Sequence, residues 1–124
     1  MNRIGAITAP LLLMALIMLV SESAAIVIDC YTVGAELYPC LPYIVKHSEE
    51  PKPSPACCGD LKALIGKAKT RHDRVRVCKC IKKTMRKIRH LDRRRAAGLP
   101  TACGVPINPP PARHMDCSRV DMNK

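Results

Sequence analysis

Val77-Cys78-Lys79-Cys80-Ile81-Lys82-Lys83-Thr84-Met85-Arg86-Lys87-Ile88 is the stretch on which the fold turns. Cys78, Ile81, Met85 and Ile88 recur at steps of three, four and three. That spacing predicts a helix with one apolar stripe. Cys78 and Cys80 are two apart, about 200° around such a helix, so they face opposite sides and hold different neighbours. Upstream, Thr70-Arg-His-Asp73 suits a capping arrangement that opens this helix. The Thr oxygen accepts from the Asp73 amide, and the acid sits near the positive helix end. Further back, Leu61, Leu64, Ile65 and Ala68 form a second stripe, behind the adjacent and diverging Cys57-Cys58. Val33, Leu37, Leu41 and Ile44 form another, with Pro39 inside it, where the helix should bend or lose a hydrogen bond. Downstream, a short fourth helix is expected over Arg93–Ala97, ending at Gly98 with Pro100 beyond it. The proline-rich polar stretch 47–55 reads as a loop. Three consecutive prolines, Pro109 to Pro111, make the C-terminal stretch extended and irregular. The expected class is all-α.

The chain has 124 residues, a prior for one domain. It carries eight Cys and eleven Pro but no Phe or Trp. Those absent side chains bury the most apolar area, so a small domain without them needs covalent or metal support. Their absence also argues against an aromatic-stacking nucleic-acid module. Arg3, the unbroken apolar run Leu11–Val20 and Ser23-Ala24-Ala25 read as a secretory signal peptide over residues 1–25, cleaved after Ala25. Cleavage leaves 26–124 as one domain, still at net charge +11 because Arg3 and Glu22 leave together. All eight cysteines remain, and in an exported chain they read as a disulfide framework. Spacing alone allows about 105 pairings. There is no CxxC and the four His are scattered, so no metal site is expected, and no cofactor.

The residues between successive cysteines number 9, 16, 0, 19, 1, 22 and 13. This order resembles the type 1 branch of the plant non-specific lipid-transfer proteins. The resemblance spans Cys30 to Val120. It also rests on Cys40-Leu-Pro-Tyr43, Cys57-Cys58 followed by Leu61 and Leu64, Thr70-Arg-His-Asp73-Arg74, Leu99-Pro100, Cys103-Gly-Val105 and Asp116-Cys117-Ser-Arg-Val120, with the polar Lys79 inside CxC. It implies a four-helix, disulfide-stapled bundle around an apolar tunnel, closed by an irregular C-terminal tail. It implies the bridges Cys30–Cys80, Cys40–Cys57, Cys58–Cys103 and Cys78–Cys117. It further implies a secreted, extracellular protein of the cell wall or apoplast, a monomer that carries fatty acids, lysolipids or phospholipids non-covalently and is linked to cuticle or wax deposition and defence. Arg74 is the residue it places at the tunnel mouth, where a guanidinium fork suits a carboxylate or phosphate. The chain departs from the family in two respects: a slightly longer first loop, with 16 residues between Cys40 and Cys57, and a change in the C-terminal stretch. Pro109 stands where a loop Tyr reaches the lipid head group, so that donor is lost.

The candidate lipid wall is Val33, Leu37, Ile44, Leu61, Leu64, Ile65, Ile81, Met85, Ile88, Leu91, Leu99 and Ile107. Periodicity does not separate a filled core from a hollow one; the resemblance favours the hollow one. Lys82, Lys83, Arg86, Lys87, Arg89, Arg93, Arg94 and Arg95 put eight cations within fourteen residues. Lys82, Arg86, Arg89 and Arg93, at steps of four, three and four, share a helical face away from the apolar stripe. Such a face attracts anionic membranes, at about 1 kcal/mol per residue. Export argues against nucleic acid as the partner. A cationic antimicrobial protein acting on anionic membranes is the alternative function, and an amylase or protease inhibitor the second. Catalysis is not expected: there is no GxSxG, no triad, and no cysteine outside the framework.

Overall fold

The computed structural model describes residues 27–122 together with Leu11, Leu12 and Met14. The expected leader and its cleavage point otherwise lie outside the described residues. Helix α1 spans Cys30–Leu37, α2 Leu41–Ile44, α3 Pro55–Lys67, α4 Arg71–Lys87 and α5 Arg93–Ala102. Short 3-10 turns occupy Tyr38–Cys40 and Cys117–Arg119. Among the described residues there is no strand, only two isolated bridges, Val45 with Leu91 and Asn108 with Asp121. No described helix is long and apolar enough to cross a membrane.

Four of the helices start on a side-chain oxygen that accepts an otherwise orphaned amide. Asp29 accepts from Thr32 N at 2.9 Å, Ser54 from Cys57 N at 3.0 Å, Thr70 from Asp73 N at 3.1 Å and Asp92 from Arg95 N at 3.1 Å. Pro39 does more than bend the first expected helix. Its missing N–H ends α1, the Tyr38 amide turns back to the Ala35 carbonyl, and one tight turn intervenes before α2.

The fourth helix differs from expectation in the other direction. It runs through Gly98 and Pro100 to Ala102. Pro100 gives up one intrahelical bond there, yet it is buried beside Leu99. The terminating glycine is Gly104, at φ +75°. Its amide donates to the Thr101 carbonyl and that of Val105 to Pro100, the paired bonds of a Schellman ending. Burial of Ala96, Leu99 and Pro100, together with the Cys58–Cys103 bridge, outweighs the local signals at Gly98 and Pro100.

Helix α4 packs against α1, α3 lies against α1 as well, and α2 meets α5. Four disulfides tie these pieces together: Cys30–Cys80, Cys40–Cys57, Cys58–Cys103 and Cys78–Cys117. Cys78 and Cys80 do leave α4 toward different elements, the C-terminal turn and α1. The buried core contains Val33, Leu64, Val77 and six of the cysteines; among the described residues no aromatic side chain is fully buried, and Tyr43 packs against the core half-buried. The C-terminal stretch is irregular but anchored. Ile107, Met115, Val120 and Met122 are buried, and Asn108 and Asp121 exchange backbone bonds at 2.9 and 2.7 Å.

Candidate functional site

With no large ring to fill the centre, the helices leave an apolar cavity of about 200 Å³. That is more than ten times the roughly 10–15 Å³ needed to admit one water. Leu37 comes from α1, Ile44 from α2, Leu61 from α3, Ile81 and Met85 from α4, and Leu99 from α5. Ile88, just past α4, and Ile107, in the C-terminal stretch, complete the expected part of the wall. Val33, Leu64, Ile65 and Leu91 are also buried but do not line the cavity. Val33 and Leu64 are among the most deeply buried side chains of the packed core. Leu91 is held in the bridge to Val45.

Several lining residues were not in the expected wall, Leu41 among them although it belongs to the stripe of Val33, Leu37 and Ile44. Gly34, Tyr38, Leu41, Thr84, Lys87, Ala96, Pro100 and Pro111 also face the space. Small residues such as Gly34 and Ala96 leave no mark in a hydrophobic pattern, although a wall of small residues is what opens a cavity. Thr84 was legible in principle, since it sits on α4 beside Met85 and three residues after Ile81. Tyr38 lines the cavity while 71% exposed, which places it at the rim. Lys87, also exposed, is the one cation of the lining. Its four-carbon stem can lie along apolar surface with the ammonium in water.

Arg74 stands elsewhere. It is half-buried in the first turn of α4, and its Nη1 donates to the Lys69 carbonyl at 2.9 Å, bracing the α3–α4 connection. It is not part of the cavity lining. The basic run is also divided by the fold. Helix α4 stops at Lys87 because Ile88 turns extended, so Arg89 and Arg93 do not continue the face of Lys82 and Arg86. Lys83, Arg86, Lys87, Arg89, Arg93 and Arg94 are exposed. Arg95 is turned inward: its Nη1 donates to the Tyr43 and Glu50 carbonyls at 3.1 and 2.7 Å, and its guanidinium lies 4.6 Å from the centre of the Tyr43 ring. Among the described residues no cluster of His, Cys, Asp and Glu could hold a metal.

An all-α frame stapled at these eight cysteines around an apolar cavity can be compared with known proteins. Residues 30–117 match the family model described as protease inhibitor/seed storage/LTP family. A non-specific lipid-transfer protein 2 of Solanum lycopersicum is 42% identical over 93 residues, covering 75% of this chain and 78% of that one. The chain belongs to the non-specific lipid-transfer proteins. Two solved structures of that family are similar to it. Barley non-specific lipid transfer protein 1 in complex with a lysophosphatidylcholine is 33% identical, with TM-score 0.67, over 76% of this chain and 100% of that one. A wheat non-specific transfer protein complexed with two molecules of phospholipid is 36% identical, with TM-score 0.66, over 74% and 99%. This lipid-transfer protein presents Pro111 and Lys87 at its cavity.

Proposed function

We propose that this chain is an exported, non-catalytic lipid carrier that takes up the acyl chain of a fatty acid, lysolipid or phospholipid into the central cavity. The observation that carries this reading is the 200 Å³ space walled by apolar side chains from all five helices. Each methylene moved from water into such a space contributes about 0.8 kcal/mol. Uptake is reversible because part of that gain is offset by ordering the chain and losing its free motion. The lipid-bound barley and wheat relatives support the same use of the fold.

The polar end of the ligand stays at the rim. Lys87 supplies the cation there, and Tyr38 a phenol. Arg74, engaged with the Lys69 carbonyl, serves the framework first. Exposed Lys83, Arg86, Arg89, Arg93 and Arg94 draw the carrier to anionic membrane surfaces. The same exposed charge supports a second reading, a cationic defence protein that perturbs such membranes.

Displacement of a fluorescent fatty acid from the oxidised chain 26–124 tests the first reading. The wild type should bind with micromolar affinity or better, Lys87→Gln should weaken binding, and Arg74→Ala should leave affinity nearly unchanged while lowering thermal stability. Absence of micromolar binding to any fatty acid or lysolipid defeats the carrier reading. Vesicle leakage at low salt that disappears with Lys83→Gln/Arg86→Gln would favour the second.

A further inference from the structure

A second recess, of about 490 Å³, lies apart from the acyl cavity. Five cations, Lys46, Arg89, Arg93, Arg94 and Arg113, line it together with one carboxylate, Asp92. They come from four places in the chain: the segment after α2, the α4–α5 connection, the first turn of α5 and the C-terminal stretch.

Backbone bonds hold these pieces in register. Lys46 N donates to the His90 carbonyl at 2.7 Å, and Asp92 N to the Ile44 carbonyl at 2.7 Å, around the Val45–Leu91 bridge. Arg113 is pinned by its Nη2, which donates to the Ile88 carbonyl at 2.8 Å. The recess is therefore framed before any ligand arrives.

Its charge is not neutralised from within. The ion pairs among the described residues are Lys67–Glu36 and Arg119–Asp116, and neither involves the recess. Asp92 spends one oxygen on the Arg95 amide as the cap of α5. The side chains of Lys46, Arg89, Arg93 and Arg94 make no hydrogen bond or ion pair among the described residues, and Arg113 Nε is buried without a partner. Cations gathered this closely repel one another, and a multiply charged anion relieves that repulsion. Four of the five are Arg, whose planar fork matches phosphate oxygens pairwise. A phosphomonoester carries close to two negative charges where a carboxylate carries one.

The neighbouring residues indicate where such a phosphate comes from. Ile44, Ile88, Ala96 and Pro111 line the acyl cavity, and Lys46, Arg89, Arg94 and Arg113 lie within two residues of them in the chain. The same four segments thus wall both the apolar space and the cationic recess. We infer that the recess is a binding site for the phosphomonoester head group of a bilayer lipid, and that it seats the carrier on phosphate-rich membrane with its cavity close by. This deepens the carrier reading and rests on it for the source of the phosphate.

The test uses oxidised chain 26–124 and three vesicle types: phosphatidylcholine alone, phosphatidylcholine with phosphatidate, and phosphatidylcholine with phosphatidylserine at matched surface charge. Partitioning is read by co-sedimentation. Wild type should prefer phosphatidate over phosphatidylserine vesicles. Arg93→Gln/Arg94→Gln should lose roughly thirtyfold of its phosphatidate partitioning, two surface cations having gone, and should lose the preference. Lys83→Gln/Arg86→Gln, which removes equal charge outside the recess, should weaken both partitions alike and keep the preference. Equal wild-type partitioning to the two anionic vesicles overturns the inference, as does loss of preference in the Lys83/Arg86 control. Titration with inorganic pyrophosphate separates the sources: binding it without any phosphatidate preference overturns the lipid assignment. Fatty-acid displacement by the wild type is measured in parallel, and its failure removes the carrier reading while the vesicle preference still judges the recess.

Discussion

Ala96→Leu asks directly whether the centre of the molecule is hollow. Ala96 is 4% exposed, lies within α5 and faces the cavity. Leu is nearly as good a helix former as Ala, so the helix itself is little affected. The substitution adds three carbons. In an empty apolar space each brings about 0.8 kcal/mol, roughly 2.4 kcal/mol in all. Ordering the Leu side chain offsets about 0.5–1 kcal/mol, which leaves a net gain of about 1.5 kcal/mol. In a filled core the same change overpacks and costs about 1–3 kcal/mol. The two cases differ in sign. For a domain of this size the hollow case raises Tm by roughly 6–12 °C. The added carbons also occupy space the acyl chain would use, and losing three methylenes of contact weakens binding roughly fiftyfold. Circular dichroism melts of the oxidised protein, paired with fatty-acid displacement, read both effects. A fall in Tm would refute the hollow-centre reasoning. A rise in Tm with unchanged lipid affinity would show that the ligand lies elsewhere.

Further outcomes follow from the backbone, the bridges and the carboxylates. Gly104→Ala, at φ +75°, should destabilise by about 1–2 kcal/mol, whereas Gly98→Ala, inside α5 with nothing within 4 Å of the added carbon, should stabilise by about 0.5–1 kcal/mol; chemical denaturation at constant m-value checks both. Cys78→Ser/Cys117→Ser opens a loop of sequence separation 39, and the chain-entropy relation puts the loss near 4 kcal/mol by the same assay. The Asp29 carboxyl is held below its ordinary range by the Thr32 backbone amide first and the Thr32 hydroxyl second. The Ser118 hydroxyl, then its amide, does the same for Asp116. Both therefore favour the folded state fully above the ordinary carboxylate pKa near 4, and that contribution disappears as pH falls through their lowered values. Carboxyl NMR titration should show the lowered midpoints, and Thr32→Val should raise that of Asp29 alone; an unchanged midpoint would remove the hydroxyl from the account.

Much of the frame was legible because local rules govern it. The i, i+3, i+4 stripes marked α3 and α4, and Thr70 marked the start of α4 through its bond to the Asp73 amide. The opposed directions of Cys78 and Cys80 followed from helix geometry alone. The end of α5 was not legible. Gly98 and Pro100 are the stronger local stop signals, but burial of Leu99 and the bridge at Cys103 carry the helix past them to Gly104. Nor was it legible that Arg95 turns onto Tyr43 while its neighbours Arg93 and Arg94 stay exposed.

The sequence by itself determined the all-α class, the helix starts and the need for disulfides, since periodicity, capping chemistry and the missing large rings act over short distances or through composition. Only the tertiary structure decided which apolar residues face a space and which face each other. Val33 and Ile81 read alike in the pattern, yet one is packed core and the other lines the cavity. It also decided where charge gathers, because Lys46 and Arg113 reach the same recess as Arg89 only after three distant segments are bonded together. Amphipathic pattern records whether a side chain leaves water. What it meets inside depends on how the elements are placed, and that is a property of the whole packed chain.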